Sequence, residues 1–153
     1  MDAEESVTGT VSYLLGKLGR HATGRFAARL APLGLRPRHC GVLELLAPGP
    51  RAQLDLADAL GVTPAVVVDM LDELERLGAV RRVRDTADRR RHLIELTREG
   101  GRLRAQAISL ARETDAELLA TLDPAVATAL RHALQGLATT FLAGISPDQP
   151  EAG

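Results

Sequence analysis

Tryptophan is absent from this 153-residue chain, and only Tyr13, Phe26 and Phe141 are aromatic. A core so poor in rings must be filled by Leu, Val and Ala, which favours packed helices over a β-sandwich or barrel. Cysteine occurs once, at Cys40, so an intramolecular disulfide and an all-cysteine zinc site are both excluded. No apolar run approaches the roughly 18 residues of a membrane span. The acidic start (Asp2, Glu4, Glu5) lacks the positive end of a secretory signal. No membrane partner is expected, and the cytoplasm is the expected compartment. Enzyme signatures are missing too: there is no G-x-S-x-G, no H-E-x-x-H and no phosphate-loop lysine with its glycines. His21, His39, His92 and His132 show no paired spacing. Neither a metal nor another cofactor is expected, and no catalytic role.

Charge of one sign is missing only on average. The formal net charge is −1, but residues 76–104 hold ten arginines against four acids, a net of +6, which leaves −7 for the rest. A basic segment in an acidic body is the footprint of a polyanion-binding surface, and its bland counterpart is a solvated, charge-rich hairpin.

From Glu4 to Leu33 the pattern reads as one long helix. At ~100° per residue its apolar side chains, Val7 to Leu33, spread over about 160°, wider than one core-facing stripe. Gly34 closes it, and Pro37 opens a second helix running to Leu46. After the turn Ala47-Pro48-Gly49-Pro50, a short helix spans Arg51–Leu60 and stops at Gly61. Thr63 is an N-cap with Pro64 in the first helical position, and this helix continues to Leu77 and ends at Gly78. Two short helices joined by a glycine-containing turn have the helix-turn-helix layout. Val80–Arg84 and His92–Leu96 read as a hairpin around Asp85-Thr86-Ala87-Asp88, which adds a wing. Thr97 caps a helix to about Leu122, and Asp123-Pro124 starts the last one. The expected fold is mainly α with a small β-hairpin wing: a winged helix-turn-helix flanked by N- and C-terminal helices.

The terminal helices carry more apolar surface than so small a central unit can cover. At roughly 25 cal/mol per Å², leaving those stripes wet is costly. A second copy joined through them, in a twofold homodimer, removes the cost; a monomeric bundle is the other solution.

The stretches "LGLRPRHCGVLELLA" and "LADALGVTPAVVVDMLDELERLGAVRRVRDTADRRRHLIELTREG" resemble the MarR-type transcriptional regulators, over about residues 5–142. The densest matches are "LDELERLGAV" and "RDTADRRRHLIELTREG". The resemblance implies a dimer that binds a pseudopalindromic operator in double-stranded DNA, usually as a repressor, released by a small-molecule effector, often aromatic, or by oxidation in some branches. It divides the chain into a helical dimerisation region (4–33 and 98–145), a winged helix-turn-helix DNA-binding domain (37–97) and a flexible tail (146–153). By match to the family's Asp-x-Arg-Arg wing, Arg90 or Arg89 would enter the groove, and Asp88 would hold an arginine by an ion pair.

The residues themselves support that role. Arg89, Arg90 and Arg91 sit at a ribbon tip, where guanidinium groups can reach phosphates or a narrow minor groove. Arg82 and Arg84 on the incoming strand are candidate phosphate contacts. On the recognition helix Val67, Met70, Leu71, Leu74 and Leu77 form the core face, while Ala65, Val68, Asp69, Asp72 and Arg76 lie outward, with Val66 and Glu73 at the margins. Family members commonly place Ser or Thr at the positions of Ala65, Val66 and Val68, and Arg at Asp69; this chain departs at all four. Small apolar groups can touch thymine methyls and a carboxylate can accept from cytosine N4. Asp72 is expected to be neutralised by Arg76 one turn on. Thr63 and Pro64 turn the helix N-terminus, with its free amides, towards a phosphate. The alternative is a winged-helix dimer acting as a protein-interaction module through Ala65, Val66 and Val68, with weak or no DNA binding.

Arg25 and Arg29 fall on the apolar arc of the first helix and need partners, with Glu44, Glu113, Asp115 and Glu117 as candidates. In the family the effector cleft lies between the dimerisation helices and the winged domain, so His21, Arg25 and His39 are the candidate ligand-binding residues. Ion pairing with no ligand role is the competing reading. Cys40, within a predicted helix, reads as a small buried hydrophobe, with redox sensing as the alternative.

Overall fold

Threonine and proline set the boundaries of the long N-terminal helix. In the computed structural model, which describes residues 6–142, Thr10 is extended and its hydroxyl accepts from the Tyr13 amide, opening α1 (Val11–Leu30). A single 3-10 turn, Val7–Gly9, precedes it. The helix expected over 4–33 is therefore shorter at both ends. Pro32 offers no N–H to the preceding turn, and the chain tightens into a 3-10 turn at Ala31–Leu33. Glu4 and the expected tail at 146–153 lie outside the described residues.

Helix α2 (Pro37–Leu46) starts at its proline as expected. The next element does not. Arg51–Ala52 forms a strand, β1, before α3 (Gln53–Leu60) begins, so the helix expected from Arg51 loses its start to sheet pairing. Gly61 turns the chain with φ +64, a left-handed conformation that favours glycine. Thr63 then caps α4 (Pro64–Arg76). Strands β2 (Val80–Arg84) and β3 (His92–Leu96) form the wing. The sheet order is β1-β3-β2, antiparallel throughout, with Arg51 opposite Ile94 and Arg82 opposite Ile94 from the other side.

Thr97 ties the wing to the long helix α5 (Arg98–Leu118): its hydroxyl accepts from the Gly100 amide, and its own amide donates to the Ala79 carbonyl. That helix ends at Leu118, not near Leu122, because the chain turns at Leu119–Leu122 before Asp123-Pro124. Helix α6 (Pro124–Phe141) follows.

One apolar cluster fills the centre, with Val42, Leu43 and Leu46 of α2, Leu56 of α3, Val67, Leu71 and Leu74 of α4, and Ile94 of β3. Leu30 from α1 and Leu103 and Ala107 from α5 close it. The outer helices are different. Of α1 only Leu30 is buried, and α6 buries no residue. Val11 (70%), Leu18 (58%) and Phe141 (75%) are mostly exposed, and Leu14, Leu15, Leu130, Leu134 and Leu137 are exposed too.

Candidate nucleic-acid interface

Helix α4 and the arginine-rich wing form the two halves of the candidate surface. Pro64 lacks an amide hydrogen and the Thr63 hydroxyl accepts from the Val66 amide, so the first turn of α4 is closed by its own cap. Ala65, Val66 and Asp69 are exposed and Val68 is half-buried, so Val68 stands closer to the core than its expected outward place. Val67, Met70, Leu71 and Leu74 are buried, as the helical spacing requires.

Asp72 finds a different partner from the one expected. Arg82 donates from Nη2 to Asp72 Oδ1 at 2.7 Å, and its Nη1 lies 3.1 Å from Glu75 Oε2. Arg76 instead donates from Nε to the Asp72 main-chain carbonyl. The reason is register: Arg82 lies two residues into β2, directly beside the last turns of α4. Burial works against its charge, but the two carboxylates outweigh that and raise its pKa. Arg82, expected as a phosphate contact, is thus a strut between wing and helix.

At the wing tip the carboxylates organise the main chain. Asp85 accepts from the Ala87 amide at 2.9 Å, and Asp88 accepts from the Arg90 amide at 3.0 Å. The expected ion pair from Asp88 to an arginine is not formed among the described residues, because its oxygen is turned into the loop. Asp88 supports the wing through the backbone instead. Arg89 and Arg90 are exposed, and neither guanidinium, nor that of Arg84, is paired with a carboxylate among the described residues. Arg91 lies 3.7 Å from Asp55 on α3.

The expected ligand residues are not brought together. His21 is exposed on α1. Arg25 donates to Glu117 on α5 at 2.7 Å, and Arg29 bonds Glu117 and Thr114 beside it. The two guanidinium groups hold the Glu117 carboxyl down at about 2. His39 is elsewhere, 1% exposed beneath α4, where its Nε2 lies 2.6 Å from Glu73 Oε2. A surface cavity of about 280 Å³ lined by Arg36, His39, Glu73 and Arg76 contains neither His21 nor Arg25. A larger one of about 330 Å³, at the α5–α6 elbow beside Arg112, Asp115 and Arg131, contains none of the three.

Glu73, at the margin of the α4 wheel, is the residue that the sequence pattern did not single out. It also accepts from Arg38 at 2.8 Å, and hydrogen bonds from Arg38 and His39 pull its pKa down to about 2. The adjacency of Arg36, Arg38 and His39 at the start of α2 was the available signal. Cys40 is half-buried, and burial pushes its thiol up to about 11, which leaves little reactive thiolate. Among the described residues no group of His, Cys, Asp and Glu is arranged to hold a metal, and no helix is long and apolar enough to cross a membrane.

Comparison with known proteins adds four findings. A profile of the MarR family matches residues 33–91. The transcriptional regulator HosA of Escherichia coli O157:H7 is 35% identical over 109 residues, 71% of this chain and 79% of that protein. CouR from Rhodococcus jostii RHA1 bound to p-coumaroyl-CoA superposes with a TM-score of 0.72 at 30% identity, covering 96% of this chain and 99% of that one. The repressor CouR bound to a 23-mer DNA duplex does so at 0.76 and 31%, covering 89% and 94%.

Proposed function

The chain belongs to the MarR family of winged helix-turn-helix regulators, and from that premise we propose that it is a homodimeric repressor of a pseudopalindromic DNA site, released by a small aromatic or anionic ligand. The observation that carries the DNA reading is the wing tip: among the described residues Arg89 and Arg90 have no carboxylate partner, while most neighbouring cations are engaged. Free guanidinium groups on a ribbon held against α4 suit phosphate and minor-groove contact. The exposed first turn of α4 supplies Thr63, Pro64, Ala65, Val66 and Asp69 to the bases and backbone, with Val68 at the edge. Since Asp69 is acidic and the others lack long donors, affinity leans on backbone contact and DNA shape more than on base-edge hydrogen bonds.

The uncovered apolar rows of α1 and α6 favour a second copy, each fully buried Leu or Phe contributing about 1.5–3 kcal/mol. Twofold pairing then sets two α4 helices about 10 bp apart. For the ligand, the CouR complex with p-coumaroyl-CoA supports an aromatic, anionic class. Arg25 and Arg29 could exchange Glu117 for a ligand carboxylate or phosphate, loosening α1 from α5.

The experiment is a mobility shift with the duplex upstream of the chain's own gene, run with and without salicylate and p-coumaroyl-CoA. Saturable retardation reversed by either compound supports the whole reading. Retardation that neither compound reverses confines it to DNA binding, and no retardation favours the protein-interaction alternative through Ala65 and Val66.

A further inference from the structure

Helix α4 meets the core through Val67, Met70, Leu71 and Leu74, an aliphatic surface. Such packing sets which face of the helix is buried. Directional bonds then hold its roll to a narrower range, and on the α2 side they converge on Glu73. Its carboxylate accepts from Arg38 at 2.8 Å, lies 3.7 Å from Arg36 Nη1, and is 2.6 Å from His39 Nε2. Glu73 is one turn from Asp69 and two from Val66 and Ala65, so rolling the helix at Glu73 moves that exposed row with it.

His39 is the buried member of this group. Its Nδ1 accepts the Arg36 main-chain amide at 3.0 Å. With that lone pair engaged, the neutral ring carries its proton on Nε2, aimed at Glu73. The imidazole therefore has a defined end for each partner. One grips the N-cap of α2, and the other presents a single donor to α4. Burial keeps the ring neutral against the pull of Glu73, and the Arg36 and Arg38 charges act in the same sense as burial. Arg76 at the end of α4, Leu77 just after it and Gly34 before α2 complete the surroundings.

We propose that His39 is a positioning residue for DNA reading, its buried imidazole fixing the roll of the recognition helix by joining the Arg36 amide to the Glu73 carboxylate. The inference rests on the DNA-binding reading above. It assigns no contact with DNA to His39; the imidazole acts through α4.

Two substitutions separate the two ends of the ring. His39→Gln can still place an amide donor near Nε2, whereas His39→Asn can replace only the acceptor at Nδ1. Affinity is measured for the duplex upstream of the chain's own gene and for a scrambled duplex of equal composition, alongside the thermal midpoint. His39→Asn is expected to lose at least tenfold on the upstream duplex and less than twofold on the scrambled one, while His39→Gln stays within about threefold on both. Glu73→Ala, which changes a partly exposed side chain, should reproduce the selective loss even if His39→Asn fails to fold, and ¹⁵N spectra should show the Nε2–H tautomer at His39. Equal losses on both duplexes, no loss in Glu73→Ala, or an Nδ1–H tautomer would overturn the proposal alone. If the unaltered protein binds neither duplex, the DNA reading falls and this inference falls with it.

Discussion

Arg82 on the first wing strand donates to the Asp72 carboxylate of α4 at 2.7 Å, so the wing and the recognition helix are held as one unit by a guanidinium that the sequence pattern directs at DNA. The same side chain reaches Glu75 with its other nitrogen. Removing it would loosen the wing against the helix and leave two carboxylates uncompensated near the phosphates. Arg82→Ala should weaken duplex binding about tenfold, roughly 1.4 kcal/mol. Unfolding stability should fall by no more than about 1 kcal/mol, since partly exposed ion pairs contribute little. Fluorescence anisotropy with a labelled duplex, alongside thermal melting, checks both.

Arg89 and Arg90 should behave differently. Replacing both with Ala should leave the fold unaltered, because neither is tied to a carboxylate among the described residues. Binding to every duplex should weaken, and the slope of log affinity against log salt should flatten by about 0.9 for each phosphate no longer neutralised. An unchanged slope would remove the wing from the interface.

Asp69 is an exposed carboxylate on the proposed reading face. Asp69→Ala should tighten binding to non-specific duplex by a few-fold, since a like charge near phosphate costs about 1 kcal/mol in water-like surroundings. It should also shift sequence preference in a selection from random duplexes. No change in either readout would place Asp69 away from the bases.

Two neighbouring glycines give a test of the wing–α5 junction. A Cβ on Gly100 would lie 2.0 Å from the Ala79 carbonyl oxygen, whereas one on Gly101 would meet nothing within 4 Å. Gly100→Ala should destabilise by about 1–3 kcal/mol through overpacking against backbone. Gly101→Ala should be neutral or stabilising by up to about 1 kcal/mol, as alanine suits a helix better. Urea titrations of both variants measure the contrast.

Acid should act on the helix junctions in two stages. The His39 pKa is lowered from 6.5, chiefly by burial, so its neutral form favours the fold fully above 6.5 and that contribution fades as pH falls below it. Glu73 and Glu117 are held at about 2 against an ordinary 4.5, so their contributions persist above 4.5 and are lost between there and about 2. Urea midpoints should be level near pH 8, decline below 6.5 and fall further below 4.5. Glu117→Gln should reduce the second decline, modestly because its side chain is 38% exposed.

The elements carried by local chemistry were legible in the sequence: Thr63-Pro64, Pro37 and Pro124 mark helix starts, and the wing strands fall at 80–84 and 92–96, on either side of the Asp85–Asp88 turn, as expected. What escaped depends on distant partners. Arg51–Ala52 is too short to show any period and becomes a strand only because β3 offers it an edge. The Arg82 strut joins residues ten apart across a helix-to-strand turn, where i,i+4 logic favoured Arg76. His39 and Glu73 are 34 residues apart, and nothing local distinguishes a buried, doubly bonded histidine from a ligand-facing one.

Hydroxyl-radical footprinting on the duplex upstream of the chain's own gene tests the central claim most directly. Two bound protomers should protect two clusters on each strand, centred about 10 bp apart and related by a twofold axis, with further protection where the wings reach the flanking backbone. A single unsymmetrical cluster, or cleavage unchanged at saturating protein, would contradict it.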